Sequence, residues 1–432
     1  MTTNQFVPTP VTIAEQILQL SKSNFDASNP QDDLLVLYNA KIRMQELCDS
    51  LLQTVLGRLE YTVLLAESCQ ESSALGFVTA LTVPDIIGDE TATVAELSKA
   101  SGADARFLSI AMSCLLKHNY FEEVGGFGTQ VYKNNHLSDI LREGHSESVK
   151  DAVGFMYAIF YKHNSPVDHD TNSCDEGFKA TSYLLEASKP SPNEEPRLPA
   201  VNLAFGFDKT VFEWMSDQEW RGRRMGKAMQ QLHRMANGNV VADYAWNQLV
   251  SPVVDIGGGI GSLELALLKE EQNKALKFTI FDIPKTIENA KKTWTTQPET
   301  AASRVSFAPG NFLAPTLDET CIPRGQPTYL IRHVLHDWTD DQVVSILRNV
   351  REAMLAIPGP DPNVKLVVCE MLLRDTSSRF VRTTSMQLLA LNNGVTRTEV
   401  EMVKLVEKSG FRVNRVHHMR AVDSIIEAIP ES

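Results

Sequence analysis

His336 stands in the run Leu330-Ile331-Arg332-His333-Val334-Leu335-His336-Asp337-Trp338, where an apolar stretch gives way to polar side chains. An imidazole with an unperturbed pKa near 6.5 can take a proton from a hydroxyl close to neutral pH, which makes His336 a candidate general base. Glu370 closes a second apolar run, Lys365-Leu366-Val367-Val368-Cys369-Glu370. A buried carboxylate at the end of a neighbouring strand would hold the imidazole in one tautomer. Glu399 is a further acidic candidate, but Thr396 and Glu399 have capping-box spacing, as do Thr398 and Glu401, so a helix-capping reading stays open beside the chemical one. His333 and His336 have no acidic or thiol partner at ligand spacing, and no metal site is expected.

A second group of residues has the chemistry of a nucleotide cradle. In Val253-Val254-Asp255-Ile256-Gly257-Gly258-Gly259-Ile260-Gly261 an apolar run breaks into glycines and then continues with the helical pattern Ser262 to Leu268. Glycines let the backbone approach a ligand closely, and the helix start presents free N–H groups. The spacing Asp-x-Gly-x-Gly-x-Gly differs from the Gly-x-Gly-x-x-Gly of dehydrogenases, which argues against NAD. Asp282 follows Asp255 by 27 residues and ends the next apolar run, where a carboxylate accepts hydrogen bonds from both hydroxyls of a ribose.

These residues need a common scaffold. Strands are expected at 278–282, 304–307, 328–332 and 365–370, with two more near 412–417 and 424–429, and helices between them, such as 340–355 and 399–409. Alternation of this kind implies a parallel, doubly wound α/β sheet with its ligand at the carboxyl ends of the strands. That rule gathers the glycine run, Asp282, Asn311, Arg332 to His336 and Glu370 into one neighbourhood. Residues 147–250 read as mostly helical, broken by the loop-like segment 189–199, which suits a linker or a mobile lid. Phe205, Phe207, Phe212 and Trp214 come just after it, some as core and some as pocket lining for a flat apolar molecule.

The first third reads differently. Residues 1 to about 30 form a polar arm, and 32–65 repeat apolar residues at helical spacing. Residues 72–140 run helix, a Pro84–Gly88 turn, a Thr93/Glu96 capping box, the helix 105–118 and a small hairpin. This is the order of a winged helix, yet residues 94–120 carry no basic stripe, so nucleic acid is not the expected partner. With 432 residues, 41 basic and 54 acidic, the formal charge is −13, which opposes binding to nucleic acid or an anionic membrane. No apolar run has the length of a membrane span and no signal peptide begins the chain, so a cytoplasmic address is expected. The six scattered cysteines read as buried thiols.

Taken in order, Asp255 to Gly261, Phe281-Asp282-Ile283-Pro284, Gly310-Asn311-Phe312, Leu330 to Trp338, Glu370 and Arg397-Thr398-Glu399 resemble the class I S-adenosylmethionine-dependent O-methyltransferases of the caffeate and flavonoid type and their fungal polyketide relatives. The resemblance implies a Rossmann-like catalytic domain over 166–432, with a helical substrate-pocket segment at 166–250. Before it, over 1–165, it implies a helical arm and a winged-helix-like dimerisation domain. It implies His336 as base flanked by Glu370 and Glu399. Asp255, Gly257, Gly258 and Gly259 would bind S-adenosylmethionine, with Gly257 to Gly261 around its methionine part, Asp282 on the ribose, and Asn311, Phe312 and Arg332 at the adenine end. Phe205, Trp338 and Met386 would face a small-molecule acceptor, and the protein would be a homodimer. Two departures stand out: Asn311 where the family often has Asp, and Thr383 to Met386 where it commonly has an Asp-containing helix. They leave open an alternative on the same fold, a pericyclase or dehydratase that binds the cofactor without transferring its methyl.

Overall fold

The computed structural model describes residues 9–25, 33–157, 176–189, 197–356 and 364–431. Cys174 and residues 190–196 of the expected lid lie outside the described residues. The chain divides into two compact units, 1–73 and 74–432. The boundary expected near 165 does not coincide with that division: the helix Lys150–Tyr157 packs against the long helix Glu219–Asp243 and so belongs with the residues on its carboxyl side.

In the first unit the expected polar arm contains a helix, Pro10–Asn24. Thr9 caps it by accepting from the Thr12 amide, Pro10 occupies the first turn where its missing N–H costs nothing, and Ile13 is buried. The element Leu34–Ala80 is kinked at Gly57, whose φ of 69° and ψ of 175° only a residue without Cβ adopts at little cost.

The second unit opens with a small helical and sheet layer. The Pro84 turn is a short helix, Val83–Ile87, closed by Gly88 at φ 60°. Thr93 and Glu96 form the expected capping box on the helix Val94–Ser101, and Asp104 caps Ala105–Leu116. The hairpin strands β2 (Phe121–Glu123) and β3 (Val131–Asn134) gain a third strand, β1 (Thr91–Thr93), in the order β1-β3-β2. Val83, Leu97, Leu108, Met112, Leu115 and Phe121 close its core.

The large sheet follows the expected strands: β4 (Val253–Ile256), β5 (Phe278–Asp282), β6 (Val305–Pro309), β7 (Thr328–Arg332), β8 (Lys365–Met371), β9 (Phe411–His418) and β10 (Asp423–Pro430). Their order is β6-β5-β4-β7-β8-β10-β9. The strands β6 to β8 are parallel, while β10 runs antiparallel to both β8 and β9. One face packs on helices Asp340–Leu355 and Glu399–Lys408 through Val343, Ile346, Leu347, Val350, Met402 and Val406. The other packs on Val240, Trp246, Leu263, Leu267, Ile287 and Trp294. Strands buried on both faces explain the continuous apolar runs, such as Thr328 to Arg332, which is buried throughout.

Cys369 is the only buried thiol among the described cysteines; Cys48 and Cys321 are exposed, against the expectation of buried thiols. None of the described helices is long and apolar enough to cross a membrane.

Candidate functional site

At the carboxyl end of β4 the chain turns through Gly257, Gly258, Gly259 and Gly261. A Cβ at Gly257 would stand 2.6 Å from Val334 Cγ2, at Gly258 2.5 Å from Asp255 Oδ2, and at Gly261 2.5 Å from Ile280 Cδ1. At Gly259, φ 60°, nothing lies within 4 Å of that position. The loop is therefore packed hard against the sheet on one side and open at Gly259, the shape of a backbone cradle that fits a cofactor such as S-adenosylmethionine. Asp282, at the end of β5, accepts from the Gly259 amide (2.9 Å) and the Ile283 amide (2.7 Å). Burial raises its carboxyl pKa, against the opposing pull of these two amides.

Asp255 faces the other way. Its side chain is 3% exposed and lies beneath the loop beside Glu264, which is fully buried on the helix Ser262–Leu267. Burial, and then the charge of Glu264, raise the pKa of Asp255, and burial raises that of Glu264. Asp255 thus supports the cradle from below. Glu264 carries no sequence signal that separates it from a solvent-facing helix glutamate.

The adenine-side candidates are split. Asn311, after β6, accepts from the Leu313 amide at 2.9 Å and is exposed, and Phe312 lies near the Gly257 cradle, its Cε1 3.6 Å from the Cβ position. Arg332 ends β7, with β4 and β5 between it and β6, roughly 14 Å away at the backbone. Its guanidinium is buried on Asp423, with Nη2 3.4 Å from Oδ2, so the structure does not bring Arg332 to Asn311.

His336 is held on several sides. Its Nδ1–H donates to Glu370 Oε2 at 2.7 Å, while Glu370 Oε1 accepts from the amides of Val334 (2.9 Å) and Leu335 (2.8 Å). Arg397 donates to the carbonyls of Leu335 (2.9 Å) and Trp338 (2.7 Å), fixing the turn from the far side. With Nδ1 committed, Nε2 is the atom left to accept a proton. Burial opposes charge on this ring, but the carboxylates of Glu370 and Asp337 outweigh it and raise its pKa to about 9. Glu370 is correspondingly lowered, the nearby imidazolium overcoming its burial. Glu399 is not part of this arrangement. It is the first residue of its helix, capped by Thr398 and Glu401, and its carboxylate reaches His418 Nε2 at 3.4 Å on the surface.

The aromatic candidates form two groups joined by the helix Val211–Ser216. Phe312, Trp338 and Phe212 succeed one another at 5.8 and 6.0 Å between ring centroids. Phe205 lies 5.0 Å from Trp214, which also stacks on Phe207. Met386 is 52% exposed on the helix Arg379–Asn392. Sequence reasoning did not single out His233 or Asp423, both of which reach His333: His233 Nε2 at 3.0 Å from Nδ1 and Asp423 Oδ1 at 2.6 Å from Nε2.

A mostly parallel sheet with a glycine turn after β4 and an acid at the end of β5 defines a Rossmann-like fold. A profile of the O-methyltransferase domain matches residues 192–412, just over half of the chain, and the chain belongs to that family of S-adenosylmethionine-dependent enzymes. The mitomycin biosynthesis 6-O-methyltransferase of Streptomyces lavendulae is 29% identical over 352 residues, covering 81% of this chain and 88% of that protein. The O-methyltransferase hasC of Aspergillus fumigatus is 26% identical, over 75% and 67% of the two chains. The solved structure of the mitomycin 7-O-methyltransferase MmcR superposes with a TM-score of 0.69 at 25% identity, covering 86% of this chain and 97% of that one.

Proposed function

We propose that the chain methylates a hydroxyl of a small aromatic or polyketide-type secondary metabolite, with His336 Nε2 taking the hydroxyl proton. The observation that carries this reading is the buried His336–Glu370 pair, 2.7 Å apart, which orients one imidazole nitrogen toward Glu370 and frees the other. S-adenosylmethionine, when bound, supplies an electrophilic methyl group. Gly257 to Gly259 would hold its methionine part, Asp282 its ribose, and Asn311 and Phe312 its adenine. The chain's task is alignment and proton removal: the acceptor oxygen must lie behind the methyl and within reach of Nε2. The row Phe312, Trp338 and Phe212 supports a flat, apolar acceptor.

The test is transfer of label from methyl-labelled S-adenosylmethionine to a panel of phenols. His336→Gln is expected to lose roughly 10²–10⁴-fold in rate while calorimetry shows unchanged cofactor affinity. Near-normal turnover in that variant would overturn the assignment. Rearranged acceptor without label would select cofactor binding without transfer.

We further infer a homodimer built through residues 1–73. Val55, Leu59 and Val63 on the kinked helix are 64%, 79% and 49% exposed, apolar side chains that a second copy of the chain would cover.

A further inference from the structure

Beside His336 the structure holds a second imidazole–carboxylate system that proton removal by His336 does not use. His333 lies just beyond β7 with φ 53°, a left-handed conformation that a non-glycine residue adopts only when its surroundings demand it. Both ring nitrogens are engaged: Nε2 lies 2.6 Å from Asp423 Oδ1, and Nδ1 lies 3.0 Å from His233 Nε2. Asp423 is fully buried and also meets Arg332. His233 comes from the helix Glu219–Asp243, two turns beyond Gly226, whose Cβ position is 3.9 Å from Ile260 of the glycine loop. That helix therefore crosses the ends of the strands at the site, and the His333 and His336 rings are 5.6 Å apart.

With Asp423 as an anion, His333 Nε2–H donates to it, His333 Nδ1 accepts from His233 Nε2–H, and His233 Nδ1 is left as an acceptor with no protein partner among the described residues. We propose that His233, His333 and Asp423 form a proton relay whose open end, His233 Nδ1, takes a proton from a second hydroxyl of the acceptor. The O–H bond of that hydroxyl breaks and an N–H bond forms at His233 Nδ1. The proton on His233 Nε2 passes to His333 Nδ1, and the positive charge comes to rest on His333 against Asp423. No oxidant or reductant is involved. The groups facing His233 are His333, Arg332, Asp423 and His336; burial first, and then the charges of His333, Arg332 and His336, oppose charge on His233 itself, while Asp423 favours it. Passing the charge to His333 places it against the carboxylate. The acceptor class that uses such a site has two neighbouring hydroxyls on an aromatic frame. His233 would touch the acceptor; His333 and Asp423 are positioning residues.

The proposal rests on the reading of the chain as a methyltransferase of aromatic hydroxyls, so its deciding experiment requires no turnover. In protein labelled with ¹³C,¹⁵N-histidine and loaded with S-adenosylhomocysteine, the rings of His233, His333 and His336 are assigned through H233Q, H333Q and H336Q and titrated. The relay predicts the Nε2–H tautomer on both His233 and His333, and that Asp423→Asn, although it does not touch His233, lowers the midpoint at which His233 takes up a proton by roughly one pH unit or more. The Nδ1–H tautomer on His233, or an unmoved midpoint in Asp423→Asn, overturns it. His233→Gln then separates acceptors: a raised KM for 1,2-dihydroxynaphthalene with little change for 1-naphthol supports the contact, and equal effects on both refute it. Failure of label transfer to any phenol would count against methylation, while the titration would still decide the relay.

Discussion

Three buried acids, Glu370 beside His336 and the pair Asp255 and Glu264 beneath the glycine turn, set the pH response at the scale of single residues. Glu370 stabilises positive charge on His336, whose pKa near 9 leaves it largely protonated at neutral pH. A base must be unprotonated, so the rate of methyl transfer is expected to climb as pH rises toward 9. In Glu370→Gln the side-chain carbonyl can still accept from the Val334 and Leu335 amides, but the anion is gone. The rising limb should then move to lower pH, toward the ordinary histidine value, and the maximal rate should fall; a pH–rate profile of label transfer checks both. Because the folded pKa of His336 is raised, its contribution to stability is fully present below about 6.5 and is lost as pH rises through about 9. Asp255 and Glu264 are also raised, so their contribution is full below the ordinary carboxylate range and fades as pH rises above it. Glu264→Gln keeps the shape and removes a titrating group. Its melting temperature relative to the parent should increase as pH rises above the ordinary carboxylate range, and a difference independent of pH would refute the raised pKa of Glu264.

The glycine turn depends on packing below and openness above, a property of the whole element. Gly261→Ala places a Cβ 2.5 Å from Ile280 Cδ1 and 2.8 Å from Trp294 Nε1, at a φ of 82°. Overpacking together with backbone strain should cost about 2–4 kcal/mol by denaturant unfolding and weaken cofactor binding as well. Gly259→Ala meets no atom within 4 Å but keeps a φ of 60°, so it should carry only the backbone-strain cost, about 1–2 kcal/mol, while cofactor affinity falls as well, measured by calorimetry beside the same unfolding curve. The contrast between these two neighbours distinguishes a ligand cradle from a turn required only for packing.

Association is tested at the scale of the whole molecule. If residues 1–73 mediate dimerisation, replacing Leu59 and Val63 together by glutamate should shift sedimentation from twice the 48.0 kDa chain mass to a single chain. An unchanged dimer would place the interface elsewhere. The acidic balance of 54 to 41 predicts no shift of duplex DNA in a gel assay, despite the helix, helix and three-stranded sheet of residues 83–134.

The strands, the glycine turn, the capping boxes and the His336–Glu370 neighbourhood were legible in the sequence. Apolar runs buried on both faces, cap spacing and turn glycines are local signals, and the parallel sheet rule carries strand ends to one edge. Glu399 was ambiguous because a capping helix start and a catalytic acid look alike in sequence; only packing showed its carboxylate at His418. Arg332 ends a strand at the site edge, yet strand order separates it from Asn311, and strand order is not written in a local pattern. Asp423 is the sharpest case. It begins β10, and the carboxyl-end rule overlooks the first residue of a strand. Because β10 runs antiparallel beside β8, with Ser424 opposite Glu370, that first residue arrives at the edge where Glu370 and His333 lie. Strand direction and order, settled by which apolar faces pack together, decided what the sequence alone could not.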